Sequence, residues 1–298
     1  MPDYIGRFAP SPTGPLHFGS LVTAVASYLD AKAADGKWLV RMEDLDPPRE
    51  MSGAADSILK TLEIYHLFWD GDVWFQSKRH DAYKDAIDRL LKQGQAFFCT
   101  CSRKNILKEL NGIYPGTCRK QLSSPPKPSA IRLKTQDITT GFLDGIQGEF
   151  RQNLNRDIGD FIIKRKDNLY AYHLAAVVDD HAQGITHIIR GLDLLDSTPR
   201  HLYLQQCLAF THPHYYHLPL ITNNKGQKLS KQSFAPPIPS NAPSFYLWHA
   251  LQALGQHPPA ELLDTPPTDI LLWGKTHWKQ NNIPHVKTIT DTKLFLDV

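Results

Sequence analysis

Leu21, Val25 and Leu29 recur at four-residue spacing, which predicts a helix with one apolar face, and Gly36 reads as its stop. The apolar runs Tyr4–Ala9 and Trp38–Met42 on either side predict strands, the first joined to the helix by a Pro/Gly turn from Pro10 to Pro15. Strand–helix–strand of this length implies a right-handed parallel crossover, hence an α/β sheet. Residues 99–130 read as irregular. Residues 131–172 alternate loosely (Ile131, Leu133, then Phe161 to Ile163), which predicts mixed strands. The α/β rhythm then returns, with Ile185–Ile189 as a strand, Ser197–Phe210 as a helix opened by Ser197-Thr198-Pro199, and Tyr216–Ile221 as another strand. From 244 onward helix formers mix with Phe245, Tyr246, Trp248, Trp273 and Trp278, predicting a small helical appendage. Proline clusters at Pro125-Pro126-Lys127-Pro128, Pro236-Pro237-Ile238-Pro239 and Pro258-Pro259 mark joints. The expected units are 1–98 and 173–235 as two halves of one sheet domain, 99–172 as an insertion between them, and 236–298 as a helical tail.

Composition narrows the class. With 298 residues, 41% of them hydrophobic, the chain can bury a core of one large or two modest domains. The 33 basic and 30 acidic residues leave a net charge of +3, which excludes a polybasic tail protein but suits a local basic face for nucleic acid. Asp3, Arg7 and Asp30 interrupt the first 30 residues, and no stretch approaches the roughly 18 apolar residues of a membrane span. A cytoplasmic protein with no membrane contact is expected. Of the four cysteines, Cys99, Cys101 and Cys118 crowd together, unlike a disulfide framework. Cys207 falls in a helical pattern and reads as core.

The chemistry concentrates in two stretches. Arg7-Phe8-Ala9-Pro10-Ser11-Pro12-Thr13-Gly14-Pro15-Leu16-His17-Phe18-Gly19-Ser20 lies between the first strand and its crossover helix, where parallel sheets bind ligands. Amides at a helix N-terminus favour an anion, Gly19 allows close approach to the backbone, and His17 can donate to a phosphate oxygen. Taken alone, the stretch also reads as a plain turn with an incidental histidine. Lys228-Leu229-Ser230-Lys231-Gln232 sets two lysines at i, i+3 beside a hydroxyl, which suits a loop neutralising a triphosphate or, by itself, a solvated basic loop.

In this order the two stretches resemble the His-x-Gly-His and Lys-Met-Ser-Lys-Ser signatures of class I aminoacyl-tRNA synthetases, and Arg7 to His17 resembles the glutamyl branch. Ser20 stands where the first signature ends in histidine, and Leu229 and Gln232 stand for the Met and final Ser of the second. Tyr170 to Asp180 and Gly184 to Gly191 are similar to the glutamyl synthetase amino-acid pocket. Asp193-Leu194-Leu195-Asp196-Ser197-Thr198-Pro199-Arg200 looks like one subfamily, the glutamyl-Q tRNA(Asp) synthetases. The resemblance implies a Rossmann-like class I catalytic core with an inserted zinc-bearing, acceptor-type subdomain and a short C-terminal helical region. It also implies ATP-dependent activation of L-glutamate to glutamyl-adenylate, without need for tRNA, and transfer to the queuosine base at the wobble position of tRNA(Asp).

By position, His17, Gly19, Ser20, Lys228, Ser230 and Lys231 would serve ATP, with Mg²⁺ assisting, and His17, Gly19, Lys228 and Lys231 would carry the catalytic neutralisation. By resemblance, Arg7, Ala9, Ser11, Glu43, Tyr172 and Arg190 line the glutamate pocket, with Glu43 toward the α-amine and both arginines toward the side-chain carboxylate. Cys99, Cys101 and Cys118 suit Zn²⁺ or stay three reduced thiols, and the family places a tyrosine at Tyr114 as fourth ligand of one structural zinc per chain. His212, His214 and His217 read as surface or adenosine-side residues. Residues 232–298 are too few for a large anticodon-binding region, which favours the stand-alone core, with a monomer as the default. The alternatives are a truncated glutamyl-tRNA synthetase charging a 3′ end and a non-catalytic tRNA-binding paralogue.

Overall fold

The structure is a computed structural model that describes residues 3–102, 104, 106, 113–229 and 236–290. Strand β1 (Ile5–Phe8) leads through the proline turn into α1 (Phe18–Ala33), which returns to β2 (Lys37–Met42). β1 and β2 pair in parallel, and β2 pairs in parallel with the short β3 (Trp74–Phe75). Later in the chain β9 (His187–Gly191) and β10 (His214–Leu218) pair in parallel. The two groups meet at the N-terminal ends of β1 and β9, where Thr186 N donates to Ile5 O and Ile5 N to Thr186 Oγ1, both at 2.9 Å. The resulting order β3-β2-β1-β9-β10 puts the turning point of the connectivity between β1 and β9, the position where open α/β sheets bind ligands beyond their C-terminal strand ends.

Between the halves, β4 (Ala96–Cys99), β5 (Ala130–Leu133) and β8 (Phe161–Lys164) form an antiparallel sheet, and β6 (Thr139–Asp144) with β7 (Gly148–Asn153) forms a hairpin. α2 (Ala54–Ile64) and α3 (His80–Lys92) precede this insertion, and α4 (Tyr172–Ala182) and α5 (Thr198–Cys207) follow it. One core gathers Leu21, Val25 and Leu29 of α1 against Phe8, Trp38 and Val40. The C-terminal helices α6 (Pro243–Ala253) and α7 (Pro267–His277) bury Leu247, Leu251 and Ile270 in that same core, so the tail is part of the first half rather than an appendage. A second core joins Ile87 and Leu90 to Leu133, Ile163, Val177 and Leu204. No helix among the described residues is long and apolar enough to cross a membrane.

Local chemistry moves several sequence-based bounds. The strand expected over Tyr216–Ile221 is two strands, β10 and β11 (Leu220–Thr222), because Pro219 has no N–H to continue the ladder. β9 begins at His187, later than expected, since Gly184 at φ 66° ends α4 and Ile185 N still bonds to Asp180 O. Gly36 does not stop α1. The helix ends at Ala33 and Asp35 takes the positive φ of 50°, while Gly36 lies against Tyr4, the residue before β1, where a Cβ would sit 2.4 Å from Tyr4 O. Gly36→Ala is therefore expected to cost about 2–3 kcal/mol through forced separation of backbone from backbone. Denaturant unfolding should show a lower midpoint at an unchanged slope, and an unchanged midpoint would contradict this reading.

Candidate active site

Four strand ends supply the site. Arg7 on β1, Arg41 and then Glu43 at the end of β2, Arg190 on β9 and His217 on β10 converge there, with Tyr172 opening α4 beside them. Glu43 N donates to Pro10 O and Met51 N to Pro12 O, which fixes the turn carrying Ala9 and Ser11 over these ends.

The centre is a buried charge cluster. Arg41 is fully buried and donates to Asp180 Oδ1 at 2.8 Å, to Glu43 Oε1 at 3.5 Å and to Gln183 Oε1 at 2.6 Å. Asp180 also accepts from Arg7 Nε at 3.2 Å. The neighbouring Asp179 is saturated by Tyr83, Gln76 and Arg79. Burial alone would raise the Asp180 carboxyl, but Arg41 and Arg7 outweigh it and hold it below the usual carboxylate range. Glu43 goes the other way, its burial outweighing the same two arginines. Both terminal nitrogens of Arg7 make no hydrogen bond among the described residues.

Arg190 is different. Its guanidinium is buried, and Nε donates to His217 Nε2 (3.0 Å), Nη1 to Tyr172 Oη (3.2 Å) and His201 Nδ1 (3.3 Å), and Nη2 to Thr198 Oγ1 (2.8 Å) and Leu194 O (3.2 Å). All of these partners are uncharged. Burial, then Arg190 itself, pushes the His201 pKa well down, and burial lowers that of His217 despite Asp144. No carboxylate of the described residues lies in ion-pair range of Arg190. A buried cation oriented by five neutral contacts is poised for a carboxylate that none of the described residues provides.

At the other side of the strand ends, His17 caps α1. Its Nδ1 accepts from Ser20 N at 3.2 Å, and Ser20 Oγ meets Nε2 at 3.1 Å, so Ser20 holds the imidazole at the helix N-terminus. Gly19 leaves room for that ring, since a Cβ there would be 3.2 Å from His17 Cε1. Lys228 reaches Asp193 Oδ2 at 2.7 Å, just beyond the end of β9. Ser230 and Lys231 lie outside the described residues, but the flanking chain is anchored beside His17: Leu229 N bonds to Ile221 O, and Ile238 N to Leu16 O. The structure thus brings together Arg7, Glu43, Tyr172 and Arg190, and sets Ala9, Ser11, His17, Gly19, Ser20 and Lys228 around the same strand ends.

The sequence reading missed Arg41, His201 and Asp144, gave Asp179 and Asp180 no role of their own within the stretch it likened to the amino-acid pocket, and placed His217 wrongly. It is fully buried between Asp144 and Arg190 rather than on the surface, because its position on β10 faces inward. Two signals were available: a charged residue inside the apolar run Trp38–Met42, and paired carboxylates ending the apolar stretch Leu174–Val178.

In the insertion, the Cys99, Cys101 and Cys118 sulfurs lie within 4.8 Å of one another, with Cys101 to Cys118 at 3.6 Å. Tyr114 Oη is 3.9 Å from Cys101 Sγ and accepts from Cys118 N at 2.8 Å. Zinc–sulfur bonds of about 2.3 Å in a tetrahedron put sulfurs about 3.8 Å apart, so this donor set fits zinc. A groove of about 1080 Å³ runs from Cys101 and Tyr114 past Arg132, Arg165 and Lys166 to His173 and Arg200.

Comparison with known proteins bears on the family and the fold. Residues 5–236 match the family described as tRNA synthetases class I (E and Q), catalytic domain. Proteins named glutamyl-Q tRNA(Asp) synthetase from Ectopseudomonas mendocina (strain ymp) and Pseudomonas aeruginosa (strain PAO1) are each 53% identical to the chain, covering 98% of it and 98% and 99% of their own lengths. Among solved structures, a glutamate tRNA ligase from Elizabethkingia meningosepticum CCUG26117, in complex with its amino acid, superposes with a TM-score of 0.81 at 26% identity, over 97% of this chain and 67% of that one.

Proposed function

The chain belongs to the glutamyl-Q tRNA(Asp) synthetase family of class I tRNA synthetases, and on that premise we infer that it activates L-glutamate with ATP and transfers it to the queuosine base of tRNA(Asp). The observation that carries the amino-acid half is Arg190, a buried guanidinium whose partners among the described residues are all neutral, near an Arg7 whose terminal nitrogens bond to none of those residues. Together they would receive the side-chain carboxylate, while Glu43 receives the α-amine. Glutamine would leave the Arg190 charge uncompensated, and unmatched buried polar groups support discrimination on the order of 10⁴-fold.

In the first step an oxygen of the glutamate α-carboxylate attacks the α-phosphorus of ATP in line and pyrophosphate departs. No side-chain nucleophile is needed, so positioning and charge neutralisation carry the rate. His17 and the α1 amides would hold phosphate oxygens, with Lys228, Ser230 and Lys231 over the departing pyrophosphate and Mg²⁺ entering with ATP. In the second step a hydroxyl of the queuosine cyclopentenediol attacks the activated carbonyl, and AMP leaves. The basic groove past Arg165, Lys166 and Arg200 suits an RNA backbone next to this centre. Glutamate-dependent exchange of pyrophosphate into ATP, without RNA, tests the first step. Exchange with L-glutamate and none with L-glutamine is expected, and no exchange with either would refute it.

Cys99, Cys101, Cys118 and Tyr114 would hold the zinc, which when bound supplies a structural cross-link between β4 and the segment after it. Cys101→Ser is expected to lose the metal and lower the thermal midpoint by several degrees, read by elemental analysis and calorimetry. Metal-free wild type would end this assignment.

A further inference from the structure

The hydrogen bonds around Arg190 have only one consistent direction. A guanidinium only donates, so His217 Nε2 must accept from Arg190 Nε, and the His217 proton must sit on Nδ1, where it is given to Asp144 Oδ2 at 2.5 Å. Asp144 belongs to the insertion, at the turn of the β6–β7 hairpin. Its other oxygen is committed to the backbone amides of Ile146, Gln147 and His217 at 2.9–3.1 Å. The carboxylate is therefore pinned by its own hairpin and cannot turn away from the imidazole. On the opposite flank Arg190 Nη1 donates to His201 Nδ1, which fixes the other tautomer there, with Nε2–H given to His173.

We propose that Asp144 and His217 are positioning residues that fix the plane of Arg190 and thereby set selectivity for a ligand bearing a second carboxylate. The inference rests on the functional reading of Arg190 above. Neither residue meets the ligand: Asp144 locks the tautomer of His217, and His217 aims the guanidinium while leaving its charge unneutralised. An aspartate placed directly on Arg190 would have cancelled that charge. The insertion thus reaches into amino-acid selection through one hairpin.

Asp144→Asn is the informative variant. Its carbonyl oxygen still takes the three backbone amides, but its amide faces His217 Nδ1 and forces the proton to Nε2, where N–H opposes N–H of Arg190. The KM for glutamate is expected to rise about tenfold or more, with the KM for ATP within about twofold of wild type and the thermal midpoint little changed. His217→Leu should raise the glutamate KM likewise, with a lower thermal midpoint because buried Asp144 Oδ2 loses its donor. His217→Gln, which can donate to Asp144 and accept from Arg190 in the same directions, should retain most of the wild-type glutamate KM. In wild type, ¹⁵N spectra of the histidines should show His217 protonated at Nδ1, a reading that needs no variant to fold. Protonation at Nε2 instead, or an unmoved glutamate KM in folded Asp144→Asn, would overturn the inference while wild-type exchange left the functional reading standing. Absence of glutamate-dependent exchange in wild type would overturn both.

Discussion

Arg190→Gln is expected to lower kcat/KM for glutamate in pyrophosphate exchange by on the order of 10²–10³-fold, the largest effect of any single change in the pocket. Truncating one member of a desolvated, hydrogen-bonded charge pair costs about 3–4 kcal/mol or more, and here the other member is the ligand. Because Arg190 pairs with no carboxylate of the described residues, the ligand-free protein should be little destabilised, and part of its hydrogen bonding passes to the glutamine amide. The thermal shift produced by glutamate in wild type should vanish. A variant that keeps wild-type kcat/KM would show that the side-chain carboxylate binds elsewhere.

Arg41→Met has the opposite profile, a large loss of stability. The guanidinium it removes is fully buried among Asp180, Glu43 and Asp179, and leaving those carboxylates uncompensated is expected to cost about 3–5 kcal/mol. The pH dependence follows from Asp180. Its folded pKa is depressed in wild type, so its contribution is present above the unfolded value of about 3.9 and is lost as pH falls through the folded one. Without Arg41, burial dominates and the folded pKa lies above the unfolded one, so stabilisation is present only in acid and is lost as pH rises. The stability gap between the two proteins should be widest near neutral pH and narrow toward pH 4. A gap independent of pH, measured by denaturant unfolding, would mean that the cluster acts by packing and not by charge.

The first crossover was legible because its periodicity and its turn chemistry agree: Leu21, Val25 and Leu29 face one way, and the prolines before them exclude helix. The placement of His17 at the start of α1 and of Lys228 near the strand ends was legible because both stretches follow predicted strands. The buried partners of the pocket were not. Arg41, Asp180 and His201 are distant in sequence and meet their partners only when β2, α4 and α5 pack, so a charge inside or after an apolar run marks Arg41 and Asp180 without saying what they meet. His217 was grouped with His212 and His214, but the three-residue step from His214 to His217 puts it on the opposite, inward face of β10. The tail also hid its role: the aromatics around Trp248 and Trp273 suggested a separate unit, whereas Leu247 and Ile270 complete the core beneath α1.

Acceptor choice is the claim on which the functional assignment turns. Labelled glutamate and ATP offered with queuosine-containing tRNA(Asp), queuosine-free tRNA(Asp) and tRNA(Glu) test it directly. Label on the first RNA alone, at the anticodon, is the expected result, and label on the 3′ end of tRNA(Glu) would contradict it.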